Sequence, residues 1–247
     1  MPNTEGGTTR AAEHPRVICH MMTSVDGRIV VEGWPLSREG SRQYEELHAT
    51  YAPDAWICGR VTMAQHFAAG TRSDAEVAHG YEGAPREDFV APAAAGEHRP
   101  FAIAVDPRGK LRWESGVVSG DHVVAVLSER VSDEYLASLR AAGVSYLLAG
   151  RDDVDLAVAL EKIAVRLGVR TLMLEGGGGI NGSFLRAGLI DEVSLLVAPV
   201  ADGRVGTPAV FDVGGEDAVP HRLVLEHVER RADDVLWLRY RVEPRSR

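Results

Sequence analysis

The stretch Thr171-Leu-Met-Leu-Glu175-Gly-Gly-Gly-Gly179-Ile-Asn-Gly-Ser-Phe184 decides how this chain is read. Residues 171–174 are a short apolar run, the pattern of a buried strand. Four glycines then let the backbone turn sharply into a helix expected over 180–187 and stopped by Gly188. A strand, a glycine turn and a helix start in that order bring free N–H groups and the positive helix end to the strand's carboxyl edge. With no side chains over 176–179, a pyrophosphate can approach the backbone closely. A plain flexible turn is the competing reading, but four successive glycines cost more chain entropy than a turn needs. The spacing is neither the dinucleotide fingerprint nor a Walker loop, so it specifies an anionic cofactor without saying which. The carboxylate of Glu175 points into the same crevice.

Outward from this stretch, strands and helices alternate. Residues 16–22 and 54–58 are apolar runs expected as buried strands, and 101–105, 122–127, 144–148 and 192–198 continue the pattern. Ser37 precedes a helix whose Tyr44, Leu47, His48 and Tyr51 share one face. Residues 131–142 form another helix, and Asp153 opens an amphipathic one with Leu156, Leu160, Ile163 and Leu167 on one side, closed by Gly168. Two alternating segments flank Ala232-Asp233-Asp234, the signature of a terminal hairpin. The order predicts a mixed sheet with helices on both faces. Residues 1–14 are expected as an unpacked tail, residues 15–247 as a single domain, and 68–100 as a long loop or excursion.

Composition narrows the function. A net charge of −9 argues against nucleic acid or an anionic membrane as the main partner, because phosphate backbones need clustered Lys and Arg. No apolar run reaches the ~18 residues of a membrane span. The first residues lack a signal peptide's basic start and apolar stretch, so a cytoplasmic enzyme is expected. Cys19 and Cys58 lie inside apolar runs and read as packing residues. There is no Cys-x-x-Cys, and the one His-x-Glu (His227-Val228-Glu229) falls in an expected strand, so no metal site is expected.

Several segments together resemble one family. Glu175 with its glycines, then Gly182-Ser183-Phe184-Leu185 and Gly188-Leu189-Ile190-Asp191-Glu192-Val193, is similar to the C-terminal signature of riboflavin-biosynthesis pyrimidine reductases. Thr23-Ser24-Val25-Asp26-Gly27-Arg28, Asp54-Ala55-Trp56-Ile57-Cys58-Gly59-Arg60-Val61-Thr62 and Ala198-Pro199 match in the family's order. The resemblance covers roughly residues 16–242. It implies a three-layer α/β/α dihydrofolate-reductase-like fold, with a mixed, mainly parallel central sheet and a C-terminal antiparallel hairpin. It also implies NADPH as cofactor, a pyrimidine- or pteridine-type heterocycle as substrate, and a homodimer.

Carried over residue by residue, the resemblance assigns the cofactor to Gly59, Arg60, Thr62, Gly176, Gly177, Gly178, Gly179, Ile180, Asn181 and Ser183. Thr62 has helix capping as an alternative role. Arg130, after the strand ending at Leu127, is a candidate cation for a 2′-phosphate, against the alternative of a solvated surface arginine. Asp26 and Glu175 are the candidate catalytic acids, because hydride transfer also needs a proton. Asp26-Gly27 is also simply a good turn dipeptide. The resemblance adds Arg28 to the substrate side; Trp34, with a structural role as its alternative, and His66 are further substrate-binding candidates. The chain departs from the family after Thr62, where Met63-Ala64-Gln65-His66-Phe67 replaces an acid and a proline. A dihydrofolate reductase, or a non-catalytic dinucleotide- or flavin-binding protein, would share the same cradle. Gly178→Val is expected to abolish cofactor binding in a protein that still folds.

Overall fold

The structure is a computed structural model and describes residues 14–77, 86–94, 100–212, 214 and 220–243. Its strands are β1 (Arg16–Thr23), β2 (Ala55–Gly59), β3 (Phe101–Val105), β4 (Val117–Val118), β5 (Asp121–Leu127), β6 (Ser145–Leu148), β7 (Thr171–Leu174), β8 (Glu192–Val197), β9 (Leu223–Arg230) and β10 (Leu236–Val242). Its helices are α1 (Arg38–Thr50), α2 (Arg60–His66), α3 (Asp74–Val77), α4 (Asp133–Ala141), α5 (Leu156–Leu167) and α6 (Gly178–Arg186).

The strands form one sheet in the order β4–β5–β3–β2–β7–β1–β8–β10–β9, with β6 beside β5. Seven strands run parallel from β6 to β8; β10, β9 and the two-residue β4 are antiparallel. Strands covered on both faces should be apolar throughout, as in parallel sheets generally. In β1, Val17, Ile18, Cys19 and His20 are all fully buried. Alternate residues divide the two cores. Val17, Cys19, Ile57 and Leu174 pack with Leu160 and Ile163 of α5 and Phe184 of α6. Ile18, Trp56, Cys58 and Met173 pack with Met63 of α2, while Leu47 of α1 and Leu136 and Leu139 of α4 cover the same face further along. Burial pushes both thiols, Cys19 and Cys58, above their usual range.

Helix caps follow the sequence. Ser37, Ser132 and Asp155 accept hydrogen bonds from the first turns of α1, α4 and α5, and Gly168 closes α5 at φ +71°. The helix expected from Asp153 starts at Leu156, because Asp155 spends its side chain on the cap. α2 and α6 instead have glycine caps, Gly59 and Gly177, with no side-chain bond. In the described part of the 68–100 excursion, residues 69–72 pair with the 110–112 loop, and the part around Phe89 lies along the outer edge of the sheet. Phe89 exchanges backbone hydrogen bonds with Tyr146 of β6, at 2.9 and 2.8 Å, and so shields that edge strand.

Candidate active site

A cleft of about 1320 Å³ opens along the carboxyl ends of the parallel strands. Such edges, where the strand order reverses, are where open α/β sheets bind ligands. Gly59 and Val105 at the ends of β2 and β3, Met21 near the end of β1 and Glu175 just past β7 stand in its wall. β7 lies between β2 and β1, so its exit brings the glycine turn beside Gly59, whose N–H donates to the Gly176 carbonyl at 2.9 Å. The Gly176–Gly177 peptide is cis.

The expected cofactor positions Gly59, Arg60, Thr62, Gly177, Gly178, Gly179, Ile180 and Ser183 all line this cleft. The first-turn amides of α6, at Gly178, Gly179 and Ile180, have no carbonyl within their own helix to bond. Space above them is open: a Cβ on Gly179 would meet nothing within 4 Å, and one on Gly177 only the Thr62 hydroxyl at 3.5 Å. Arg60 and Arg186 are cleft-lining cations for which no ion pair forms among the described residues. This is a fit for an anionic dinucleotide.

Three expected cofactor contacts take other roles. Gly176 is buried at φ +92°, and a Cβ there would press on the Met21 side chain, so its task is the turn itself. Asn181 faces inward and donates to the Val210 carbonyl at 2.9 Å, pinning the 207–212 loop. Arg130 is not among the cleft-lining residues and pairs with the exposed Asp152 at 2.6 Å, beside the Asp153 end of the far wall. Arg130→Ala is therefore expected to leave dinucleotide affinity within about twofold, since an exposed pair contributes little; fluorescence titration of the reduced cofactor checks this. Gly178 lines the cleft, but its missing Cβ is demanded by packing. A Cβ there would overlap the Ala209 carbonyl and lie 2.8 Å from an Asp212 carboxylate oxygen. The expectation that Gly178→Val folds normally is corrected accordingly.

On the substrate side, Glu175 lines the cleft and His66 stands at its rim. Asp26, Arg28 and Trp34 are not among the lining residues; they fix the loops beside it. Arg28 donates to the Thr207 carbonyl at 2.7 Å, and Trp34 donates from Nε1 to Asp202 at 2.8 Å. Asp26 accepts from the Ser24 hydroxyl and from the backbone amides of Asp202 and Gly203. Those three donors hold its carboxyl down at about 2. A lowered pKa stabilises the docked turn above the free carboxyl's value and stops doing so as pH falls through about 2. Protection of the Asp202 and Gly203 amides, relative to the unstructured exchange rate at each pH, is thus expected to fall between pH 4 and 2, and not in Asp26→Asn, where it should already be lower at neutral pH.

Two further features of the site were not in the sequence reading. The loop and first turn at Asp153, Val154, Asp155 and Leu156 form the far wall of the cleft. Behind Glu175, the His48 ring hydrogen-bonds through Nδ1 to Glu175 Oε1 at 2.6 Å. Burial works against a charged His48 ring, but the hydrogen bond and charge of Glu175 outweigh it and raise its pKa. The helix-face spacing of Tyr44 and His48 was the available signal; its target across 127 residues was not.

A model of the RibD C-terminal domain matches residues 15–237, nearly all of the described chain. The chain belongs to the RibD C-terminal domain family. Among curated relatives, this RibD C-terminal domain is 32% identical over 135 residues to the 2,5-diamino-6-ribosylamino-4(3H)-pyrimidinone 5′-phosphate reductase of Methanothermobacter thermautotrophicus, covering 54% of this chain and 61% of that protein. It is 28% identical over 134 residues to the Archaeoglobus fulgidus protein of the same name, covering 54% and 59%. The matches thus span about three-fifths of those relatives. Among solved structures, a pyrimidine reductase-like protein from Corynebacterium diphtheriae superposes with a TM-score of 0.68 at 17% identity, over 94% of this chain and 93% of that one. The riboflavin biosynthesis reductase Rib7 of Saccharomyces gives 0.57 at 16% identity, over 96% and 94%. The RibD C-terminal domain thus has the three-layer, dihydrofolate-reductase-like fold expected of it.

Proposed function

We propose that this domain is an NADPH-dependent reductase that transfers a hydride to a pyrimidine carrying a ribosylamino substituent, of the type of 2,5-diamino-6-ribosylamino-4(3H)-pyrimidinone 5′-phosphate. The observation that carries the reading is one cleft with two chemistries: an open glycine-capped helix start on one wall and an ionisable carboxylate, Glu175, at a neighbouring strand end. When bound, the dinucleotide supplies the hydride. The chain's own residues bind and orient. The α6 amides and the Thr62 hydroxyl suit a pyrophosphate, and Arg60 or Arg186 suits a further phosphate. Glu175 can accept hydrogen bonds from amino and ring N–H groups of a pyrimidine and so orient it in the cleft. The names of the curated relatives favour the diaminopyrimidine over dihydrofolate or a purely binding role. A cytoplasmic homodimer belongs to the same reading, and sedimentation of the full chain tests the dimer.

Titrating the protein into NADPH and into NADH, with nicotinamide fluorescence as readout, tests the cofactor half. Saturable binding of NADPH, tighter than NADH, is the expected result. No binding of either would remove the reductase reading.

A further inference from the structure

Glu175 is held from behind by a residue that lines no part of the cleft. The side chain of Met173 in β7 packs on the α1 and α2 face, and Glu175, two residues on, extends toward the same side. There α1 presents Tyr44 and His48, one turn apart, at the sheet. The Tyr44 hydroxyl donates to the His20 carbonyl at 3.1 Å, and His48 Nδ1 meets Glu175 Oε1 at 2.6 Å. Backbone bonds fix the carboxylate's root: Glu175 N–H donates to the Ile57 carbonyl at 3.0 Å, and the Cys58 thiol donates to the Glu175 carbonyl at 3.3 Å. The side chains of His48 and Glu175 are only 20% and 14% exposed, so water screens the pair weakly.

We propose that His48 is the positioning residue for Glu175, presenting its carboxylate in one fixed orientation to an amino-substituted heterocycle in the cleft and tying substrate affinity to its own protonation. The inference rests on the reductase reading above. A short bond between an imidazolium and a carboxylate is directional and about twice as strong as its neutral counterpart. A free carboxylate at a strand end would sample several rotamers, each ordering event costing affinity.

The groups facing His48 decide the direction of the pH effect. Glu175 from β7 and Glu45 from its own helix favour the charged ring, as does the more distant Asp121 of β5. His20 of β1, with its ring centroid 6.4 Å away, is fully buried and pushed below its usual range by that burial, so it does not compete for the proton. Tyr44 and the Cys58 thiol are held neutral, raised by burial first and by Glu175 second. The charged ring is therefore favoured below the ordinary imidazole value of 6.5, and the ion pair is lost as pH rises through the raised one.

Steady-state kinetics of the full chain with the diaminopyrimidine ribosyl phosphate test this. His48→Ala should raise the substrate KM about tenfold, change kcat less, and leave the KM for NADPH unchanged. In the wild type, substrate KM should climb as pH rises above 6.5. His48→Asn keeps an N–H near the Nδ1 position without a titrating charge. It should hold KM near the wild-type alkaline value, flat with pH, and its circular dichroism separates this from misfolding. Wild-type turnover with His48→Ala and His48→Asn matching it in KM and pH profile would overturn the proposal while leaving the reductase reading intact. No wild-type turnover would overturn the reductase reading, and the inference with it.

Discussion

Glu175→Gln is expected to lower kcat/KM for the pyrimidine substrate about a hundredfold, the scale of losing a positioned acid–base group, while the affinity for NADPH stays within about twofold. The side chain keeps its length but loses its charge, and with it both the ion pair to His48 and the carboxylate that faces the cleft. The Glu175 backbone bonds to Ile57 and Cys58 are unaffected, so the strand end and the glycine turn should persist. Stopped-flow assays with saturating NADPH separate the substrate effect from the cofactor effect. A variant as active as wild type would remove Glu175 from the reaction.

The glycine turn gives the second large effect, and two neighbouring glycines should respond in opposite ways. Gly179→Val adds a branched side chain into open space over the α6 amides, at a position with ordinary helical backbone. Folding should be unharmed, since valine suits a helix at least as well as glycine. NADPH affinity should fall about a hundredfold or more, the loss of two charge-assisted hydrogen bonds. Gly178→Ala instead pushes a methyl into the Ala209 carbonyl and the Asp212 carboxylate, which are backbone and a short side chain. It should lower stability by about 2–4 kcal/mol, as overpacking does. Chemical denaturation beside a binding titration distinguishes them. Normal NADPH affinity in Gly179→Val would make the run a turn and nothing more.

Much of the architecture was legible because it is written in local signals. The strand periods, Ser37 and Gly168 at helix ends, and the Ala232-Asp233-Asp234 turn each depend on a few adjacent residues. The glycine cradle was legible for the same reason. What local signals do not carry is the partner across the chain. Asp26 looked like a catalytic acid or a turn residue; its amide donors lie 176 and 177 residues away, at Asp202 and Gly203. Arg130 was a candidate phosphate cation or a solvated arginine until Asp152 arrived beside it, and Asn181 was assigned to the cofactor until the Val210 carbonyl took its amide. Gly178 was assigned to ligand approach when Ala209, brought in by a separate loop, is what requires it. His48 was visible as one of a helix face, but its partner Glu175 emerges only once β7 is inserted between β2 and β1. The family resemblance supplied the remaining link, from an anion cradle to the proposed hydride-transfer cleft, which spacing alone left open.

The most direct test is turnover. The full chain is mixed with NADPH and, in parallel, with the diaminopyrimidine ribosyl phosphate, with dihydrofolate and with no second substrate, and loss of reduced-nicotinamide absorbance is followed. The expected result is oxidation that depends on the diaminopyrimidine and yields its ribitylamino product by mass spectrometry. Oxidation with dihydrofolate alone, or NADPH binding without oxidation by any heterocycle, would contradict it.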